Sequence, residues 1–356
     1  MVTKCSHRHC VVMKRYPDQN YCVYFNRETG FFARVEDNGH KEPFWARHGP
    51  ELLDISITNW CDKNCLICYR NSGPNGSHIT LNEYENLLVQ AKEMDVLQIA
   101  LGGGNPNQHP EFPKMLQLTR EKYGIVPSYT TNGRGLNKDV LNATKDFCGA
   151  VAVSAYSPYT EMEEAIKLLA EYKIKTNLHY ILHSESLERA IKWLNNGQFP
   201  GNINAIIFLN YKPIGRLTDS NLLLRNSTQL ISFFEFISRR DLPFKVGFDS
   251  CSISGIVKYM NINPVYYEAC EASRFSAFVS EQLKMYPCSF MINMVEGVDL
   301  IKTSMSEAWQ TGEPFVEMRI KLANNNCQGC KSVENCLGGC PLFSDINLCN
   351  AEAEHY

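Results

Sequence analysis

Apolar runs alternate with amphipathic stretches along this chain from residue 52 to about residue 250. Short apolar runs bounded by glycine or polar residues predict strands, and apolar residues spaced three and four apart predict helices. The predicted strands are Leu52–Thr58, Val96–Leu101, Val126–Thr131, Ala150–Ser154, Lys175–Ile181, Ala205–Leu209 and Phe244–Phe248. Strands that alternate with helices predict a parallel sheet, either doubly wound or rolled into a full or partial barrel.

Helices are predicted between these strands. Capping-box patterns at Thr80-Leu-Asn-Glu83 and Thr160-Glu-Met-Glu163 open two of them. Gly124 ends a third helix over Glu111–Tyr123, and Ser227–Arg240 carries an apolar face.

The pattern changes on both sides of this central segment. The first 50 residues are aromatic-rich and irregular, with short strand-like runs at Val11–Val12, Tyr21–Phe25 and Phe31–Val35. After residue 249 the alternation of strands and helices stops. We therefore divide the chain into an N-terminal extension or small β-element (1–50), a sheet or barrel domain (51–249) and a cysteine-rich domain (250–356).

Polar motifs follow the first four predicted strands, where each strand ends. They are the segment Cys61–Cys68, the run Gly102-Gly103-Gly104-Asn105-Pro106, the run Thr130-Thr131-Asn132-Gly133, and Ser154. In parallel α/β folds, ligands bind at the carboxyl ends of the strands. The four motifs are therefore predicted to converge on one face.

Charge and hydropathy exclude several classes of protein. The net charge of −3 gives no electrostatic case for binding nucleic acid or an anionic membrane. No apolar run approaches the roughly 20 residues that span a bilayer. The stretch Met1–Cys10 carries four basic or histidine side chains and no apolar signal core. We expect a cytoplasmic protein.

The chain contains 15 cysteines, and the length, the odd count and the missing signal favour metal ligands over disulfides. Cys61, Cys65 and Cys68 form a C-x3-C-x2-C triplet. Most iron–sulfur proteins use four cysteines per cluster. Three cysteines can hold three irons of a cubane cluster and leave the fourth iron open to bind and activate a small molecule.

Eight more cysteines follow residue 250: Cys251, Cys270, Cys288, Cys327, Cys330, Cys336, Cys340 and Cys349. This end has too little apolar content to form a core alone, so bound metal would supply folding free energy. Its C-x2-C pair also suits a structural zinc site, and that alternative stays open.

The triplet resembles that of the radical S-adenosylmethionine (SAM) enzymes. The run Cys327-x2-Cys330-x5-Cys336-x3-Cys340, with Gly338-Gly339 before its last cysteine and Cys349 after it, resembles the SPASM domain. The resemblance implies a partial (β/α)6 barrel followed by a domain with two auxiliary clusters. In this family the amino and carboxylate groups of SAM chelate the open iron, and one electron from the cluster cleaves SAM to a 5′-deoxyadenosyl radical.

The resemblance also implies roles for single residues. The triplet would bind the catalytic [4Fe–4S] cluster, and Tyr69 would pack near the adenine. The family's Gly-Gly-Glu-Pro motif aligns with Gly103-Gly104-Asn105-Pro106, where Asn105 loses the charge-assisted part of a hydrogen bond to the SAM ammonium. The other implied contacts are Thr131 and Asn132 near the ribose, Ser154 near the methionyl group, and His179 in place of a missing arginine. Tyr156 replaces a usual aspartate, and Tyr156 and His179 are the candidates for a general base.

The auxiliary ligands divide by analogy with the same family. The outer cluster would take Cys327, Cys330, Cys336 and Cys349. The inner cluster would take Cys270, Cys288 and Cys340, with Cys251 as the candidate fourth ligand. If Cys251 does not reach that cluster, an open iron there would bind substrate. Three [4Fe–4S] clusters would then use the eleven cysteines from Cys61 onward, with Cys148 omitted.

Several motifs have a plainer interpretation. Gly102–Gly104 suits a tight turn between strand and helix. Asn105 and His179 suit satisfied polar core residues, and Cys148 suits a small buried apolar residue. The N-terminal set Cys5, His7, His9 and Cys10 suggests a metal site, but a disordered terminus is the favoured interpretation.

The functional hypothesis is oxidative C–H activation on a ribosomal peptide or protein, forming a thioether or carbon–carbon crosslink. Its electrons would come from a donor such as flavodoxin or ferredoxin. The first 50 residues are too short for a complete winged-helix peptide-recognition domain. The alternatives are a sulfatase-maturase-like enzyme, a small-molecule radical SAM dehydrogenase, and a non-catalytic zinc-binding interaction module.

Overall fold

A computed structural model describes residues 10–36, 42–239, 241–325, 327 and 329–349. Cys5, His7 and His9, named above as a possible metal set, lie outside these residues. The last predicted residue of the helix at 227–240 lies outside them as well.

The strands between residues 52 and 250 agree closely with the predicted runs. Those described are β1 (Val11–Tyr16), β2 (Tyr21–Asn26), β3 (Phe32–Glu36), β4 (Leu52–Thr58), β5 (Gln98–Gly103), β6 (Val126–Thr131), β7 (Ala150–Ser154), β8 (Thr176–Leu182), β9 (Ala205–Asn210), β10 (Lys245–Phe248), β11 (Ser276–Val279), β12 (Lys284–Tyr286) and β13 (Val298–Asp299). All seven predicted strands between residues 52 and 250 are confirmed.

The α-helices described are α1 (Leu81–Glu93), α2 (Phe112–Gln117), α3 (Lys138–Phe147), α4 (Thr160–Glu171), α5 (Ser184–Asn196), α6 (Thr228–Arg239), α7 (Ile253–Tyr259), α8 (Met305–Thr311), α9 (Glu313–Ala323) and α10 (Val333–Cys336). Thr80 and Glu83 form the predicted capping box before α1. The second predicted capping box is wrong. Thr160 is already the first helical residue of α4, and the residue before it makes no side-chain cap.

The strands β4 to β10 lie side by side in the order of the chain, and each pairs in parallel with the next. A doubly wound sheet would reverse its strand order at one point. No reversal occurs here, so the sheet is wound in one direction. This observation, with the helices between the strands, confirms the partial barrel.

The C-terminal region adds to the same sheet. Strand β11 pairs in parallel with β4, and β12 and β13 continue from it in antiparallel pairing, which gives ten strands in all. These three strands follow one another without an α-helix between them, so they do not continue the alternation of strands and helices, but the sequence did not predict them. Strand β11 has only four residues and shows no clear alternation, so no local pattern indicates it. The domain division at residue 249 remains a prediction.

The two faces of the barrel sheet differ. On β8 the buried residues Thr176, Leu178, Tyr180 and Leu182 alternate with half-buried ones. The three apolar members of that buried set join the main apolar core. The half-buried positions, such as Asn177 and His179, face the inside of the barrel. That interior is therefore accessible and partly polar.

The N-terminal strands β1, β2 and β3 form a separate antiparallel sheet. Its aromatic residues pack on Leu97 and Val126, which stand beside the amino-terminal ends of β5 and β6. Arg34 of β3 donates to Glu51 (Nε–Oε2, 2.8 Å). The small sheet thus lies at the end of the barrel opposite the motifs. Among the described residues, no helix combines the length and apolar character that membrane crossing requires.

Candidate functional site

The cysteine triplet lies in the loop of residues 59–78 that follows β4. Cys61 is buried, and Cys65 and Cys68 are half-buried. The Cys61 N–H donates to the Gly73 carbonyl (3.0 Å), and Asn132 Nδ2 donates to Cys61 Sγ (3.5 Å). Burial raises the pKa of Cys65 to about 11, although the nearby Lys63 lowers it. A metal that binds the thiolate must overcome this cost of burial.

The glycines at the carboxyl end of β5 allow the loop that follows this strand to touch the loop that carries the triplet. A Cβ at Gly103 would lie 1.9 Å from the Thr58 carbonyl oxygen, and one at Gly104 would lie 1.9 Å from that of Trp60. The Gly104 and Asn105 N–H groups donate to these same two carbonyls, at 2.7 and 3.0 Å. The glycines are therefore required for close approach to the triplet's loop, beyond the tight turn of the plainer interpretation.

Asn105 is fully buried, and its amide makes four hydrogen bonds inside the protein. Nδ2 donates to Gln108 Oε1 (2.7 Å) and to the Arg134 carbonyl (3.0 Å). Oδ1 accepts from Thr131 Oγ1 (3.1 Å) and from the Asn132 N–H (3.2 Å). An amide has two donors and two acceptor positions, so this one is saturated. Its predicted contact with SAM remains a prediction and requires exchange of one of these bonds.

Three charged side chains, Lys63, Arg134 and Glu161, form a connected group on the outer side of the triplet's loop. Glu161 of α4 accepts from Lys63 Nζ (2.5 Å) and from Arg134 Nη2 (2.7 Å). Arg134 also donates to the Asp62 carbonyl (3.1 Å). The hydrogen bonds from Arg134 and Lys63 hold the pKa of Glu161 below its usual value. Sequence reasoning missed this group, because its members come from three separate loops and helices.

The segment after β9 holds the triplet's loop from the other side. Arg216 Nη1 donates to the Cys65 carbonyl, and Nη2 donates to the Ser72 carbonyl (2.7 Å). The Arg216 N–H donates to the Cys68 carbonyl (3.0 Å). Gly215 fits only without a side chain, since a Cβ would lie 2.4 Å from the Cys68 carbonyl oxygen. Hydrogen bonds from the Arg216 side chain and backbone to three carbonyls thus fix the triplet's loop.

Tyr69 and Arg70 connect the triplet's loop to the C-terminal region. The Tyr69 ring lies 4.8 Å from that of Phe290, between ring centroids. Arg70 Nη2 donates to Glu281 Oε2 (2.6 Å), and both side chains are almost fully buried. Ser56 Oγ donates to the same carboxylate oxygen (2.8 Å). The predicted place of Tyr69 near adenine is untested, but the ring lies at the boundary of the two regions.

The candidate bases lie at neighbouring strand ends. Ser154 pairs in register with His179, and the Tyr156 hydroxyl is hydrogen-bonded to Ser154. Burial raises the pKa of Tyr156, and the thiols of Cys65 and Cys68 add to that shift. Burial lowers the pKa of His179 to about 4, although Asp249 opposes it. His179 is therefore neutral near pH 7 and lacks the positive charge that a substitute for arginine would bring to the SAM carboxylate.

Four C-terminal thiols form an inner thiol group: Cys251, Cys270, Cys288 and Cys340. They interact electrostatically with one another, and Cys251 is hydrogen-bonded to Cys340. Cys251 thus lies beside the other thiols of the inner group, and its role as the fourth ligand remains a prediction. Burial raises the pKa of Cys288 to about 12.

Backbone N–H groups point at the sulfurs of three of these thiols. Ala272 donates to Cys270, Phe290 to Cys288, and Leu342 to Cys340. In each case the donor stands two residues after the cysteine. Hydrogen bonds to sulfur stabilise thiolates and set cluster potentials. These donors therefore fit a cluster held by the inner thiol group.

The outer thiol group consists of Cys327, Cys330, Cys336 and Cys349, which also interact through charge. Gly338 and Gly339 donate their N–H groups to Cys336, and both have positive φ. Within the described ranges, no three His, Cys, Asp or Glu side chains are gathered closely enough for one metal ion. A cubane takes its thiolates on separate irons, so this spacing is compatible with a cluster.

A protein-family model decides what this barrel is. The model of the Radical SAM superfamily matches residues 55–208, which run from the middle of β4 into β9 and include the triplet. The segment is a radical SAM domain. The match assigns residues 55–208 to the radical SAM superfamily, whose enzymes use SAM and a [4Fe–4S] cluster.

Individual relatives extend beyond the radical SAM domain. The mycofactocin maturase MftC of Mycobacterium ulcerans (strain Agy99) is 20% identical over 316 residues, which cover 82% of this chain and 83% of that protein. The GTP 3′,8-cyclase of Vibrio atlanticus (strain LGP32) is 23% identical over 305 residues, 77% of this chain and 87% of that one.

Solved structures confirm the fold. Streptococcus suis SuiB bound to its precursor peptide SuiA matches with a TM-score of 0.71 and 15% identity, over 93% of this chain and 94% of that one. At this identity the likeness concerns the fold. It includes most of the C-terminal region as well as the barrel.

Proposed function

We propose that this radical SAM enzyme oxidatively modifies a ribosomally made peptide by C–H activation, forming a thioether or carbon–carbon crosslink. Cys61, Cys65 and Cys68 would hold the catalytic cluster. The segments after β5, β6 and β7 would surround SAM, through the residues Gly103, Gly104, Asn105, Pro106, Thr131, Asn132 and Ser154. When bound, the cluster and SAM supply a radical that abstracts hydrogen from an unactivated C–H bond.

The chain's own residues would bind and orient the substrate inside the barrel. The half-buried face carries small polar side chains, such as Ser128 and Thr130 on β6 and Asn177 on β8. The charged group of Lys63, Arg134 and Glu161 closes the outside of the triplet's loop. A site shaped in this way limits water and holds one substrate carbon in place, which is the main requirement for selective hydrogen abstraction.

One observation carries the oxidative part of the proposal: the triplet's loop touches the C-terminal thiol region. Tyr69 contacts Phe290, which stands two residues after Cys288 and donates to its sulfur. The inner and outer thiol groups would hold two auxiliary [4Fe–4S] clusters and supply one-electron redox chemistry beside the substrate. Electrons for SAM cleavage would come from a donor such as flavodoxin or ferredoxin.

The relatives favour a peptide as substrate. MftC is named a maturase, and SuiB has been solved with a precursor peptide. The GTP 3′,8-cyclase relative supports a small molecule as the second candidate. A sulfatase-maturase-like reaction is a further alternative. The zinc-binding interaction module is set aside, because the radical SAM domain identifies an enzyme.

Anaerobic purification followed by assay with peptides tests this proposal. The protein should be brown with about twelve irons per chain, and reduction with SAM should release 5′-deoxyadenosine. Peptides encoded beside the gene should each lose two hydrogen atoms per crosslink, as measured by mass spectrometry. A colourless, zinc-loaded protein would contradict the cluster assignment. SAM cleavage that leaves every such peptide unchanged but oxidises a small molecule would favour the second candidate.

A further inference from the structure

A buried lysine stands beside the inner thiol group. Lys212 follows the carboxyl end of β9, and its side chain is 2% exposed. Its Nζ donates to the Asn210 carbonyl (2.7 Å) and to Asp249 Oδ2 (3.0 Å). A lysine is almost never fully buried unless it is paired. The pair with Asp249 explains how the charge is tolerated, but it does not explain why a lysine is there.

Asp249 is itself held in place from three sides. Its carboxylate accepts from the Asn210 N–H (3.2 Å), from Ser252 Oγ (2.6 Å) and from Lys212. The ammonium of Lys212 therefore has a fixed position. A fixed charge inside a protein has a stronger effect on its neighbours than a mobile one at the surface.

The neighbours of that charge are thiols of the inner group. Cys251 and Cys340 interact with Lys212 through charge, and so does Cys288. The ammonium also lies 4.7 Å from the centre of the Phe290 ring, which contacts Tyr69 of the triplet's loop. Lys212 therefore stands between the inner thiols and the place where the two regions meet.

We propose that Lys212 is a positioning residue for redox chemistry, whose buried ammonium raises the reduction potential of the cluster that the inner thiol group would hold. The inference rests on the proposed function, in that an inner cluster must exist. A one-electron reduction adds negative charge to a cluster already bound by thiolates. A nearby fixed cation stabilises the reduced form more than the oxidised form, and net local charge is one of the factors that set cluster potentials.

The test is a redox titration of the full-length holoenzyme, followed by electron paramagnetic resonance without SAM or peptide. Lys212→Met should move one cluster signal to a more negative potential. We expect at least a tenfold change in its one-electron reduction equilibrium, which corresponds to about 59 mV. Lys212→Arg keeps the charge and should retain most of the original potential. Lys167→Met, on the exposed face of α4, is the matched control and should leave every cluster potential unchanged.

Folding is followed by iron content, which should stay near the original value in each variant. If Lys212→Met does not fold, Lys212→Gln keeps a hydrogen-bond donor for Asp249 without the charge and should give the same shift. An unchanged potential in a fully loaded Met or Gln variant overturns the proposal. So does an equal shift in Lys212→Arg, or a wild-type protein without an inner cluster. Neither the cluster potentials nor the iron content depends on peptide modification. An error in the proposed substrate can therefore be distinguished from an error in the proposed role of Lys212.

Discussion

The barrel and the C-terminal thiol region hold their reactive groups in different ways. In the barrel, loop positions are fixed by complete hydrogen bonding, as Asn105 and Arg216 show. In the C-terminal region, the thiols of the outer group lie on short elements and loops after α9, such as the four-residue α10, and the region's own apolar cluster is small. The comparison indicates that the barrel site is formed by the polypeptide, whereas the thiol region needs its metal to be stable.

The largest expected effect is the loss of SAM cleavage when the triplet in the barrel is changed while the thiols of the C-terminal region are left intact. Cys65→Ala should abolish release of 5′-deoxyadenosine, because the catalytic cluster loses one of three thiolates. Iron should fall from about twelve to about eight per chain, since the auxiliary clusters keep their ligands. Chromatography and iron analysis measure both. Cys148→Ala, at the end of α3, is the control and should keep both values. Continued SAM cleavage by Cys65→Ala would show that the triplet is not the catalytic site.

Removal of iron should separate the stabilities of the two regions. After anaerobic chelation, protease should cut residues 324–349 about tenfold faster than in the holoenzyme, because bound metal supplies folding free energy there. Residues 51–249 should resist cleavage in both states. Mass spectrometry of the fragments locates the cuts. Equal protection of the two regions without iron would show that the thiol region folds by its apolar contacts alone.

Breaking the Arg70–Glu281 ion pair, which joins the two regions, should give the next largest effect, a loss of unfolding free energy. Glu281→Gln leaves Arg70 as a buried charge without its partner, and loss of one member of such a pair costs about 3–5 kcal/mol. Chemical denaturation measures the loss of unfolding free energy. Glu85→Gln removes the half-buried partner of the exposed Lys122 and should cause no measurable change. A loss of less than about 1 kcal/mol in Glu281→Gln would mean that water screens the pair.

The smallest expected effect is the loss of stability when a helix cap within the barrel is removed. Thr80→Ala removes the cap of α1 and should cost about 1 kcal/mol. Thr160→Ala replaces a threonine that caps no helix, so its effect on the melting temperature should be smaller. Thermal unfolding of the two variants in parallel compares them. A larger loss in Thr160→Ala would contradict the observed start of α4.

The sequence predicted the barrel well because its pattern is local. Each strand from β4 to β10 is a short apolar run, and the motifs follow the strands directly. Strand β11 escaped prediction because it is defined by its pairing with β4 rather than by its own four residues. The Thr160 pattern also misled. The pattern placed Thr160 before the helix with Glu163 as its capping partner, but Thr160 is already the first helical residue of α4.

Contacts between distant parts of the chain could not be predicted. Lys212 and Asp249 are 37 residues apart, and Arg70 and Glu281 are 211 apart. No local pattern shows such a pair, since each member alone looks like an ordinary surface charge. The thiol groups could be divided only by the family resemblance, and the structure brings together the same two sets of four.

The pairing of β11 with β4 sets an order of events during synthesis. Ile55 pairs with Val279, which leaves the ribosome 224 residues later. At about 5–20 residues per second, the free edge of β4 waits for about 10–45 s. An unpaired strand edge can pair with another chain during that time. Expression conditions that slow translation should therefore lower the yield of soluble protein, because they lengthen the exposure of the strand that leads into the cysteine triplet.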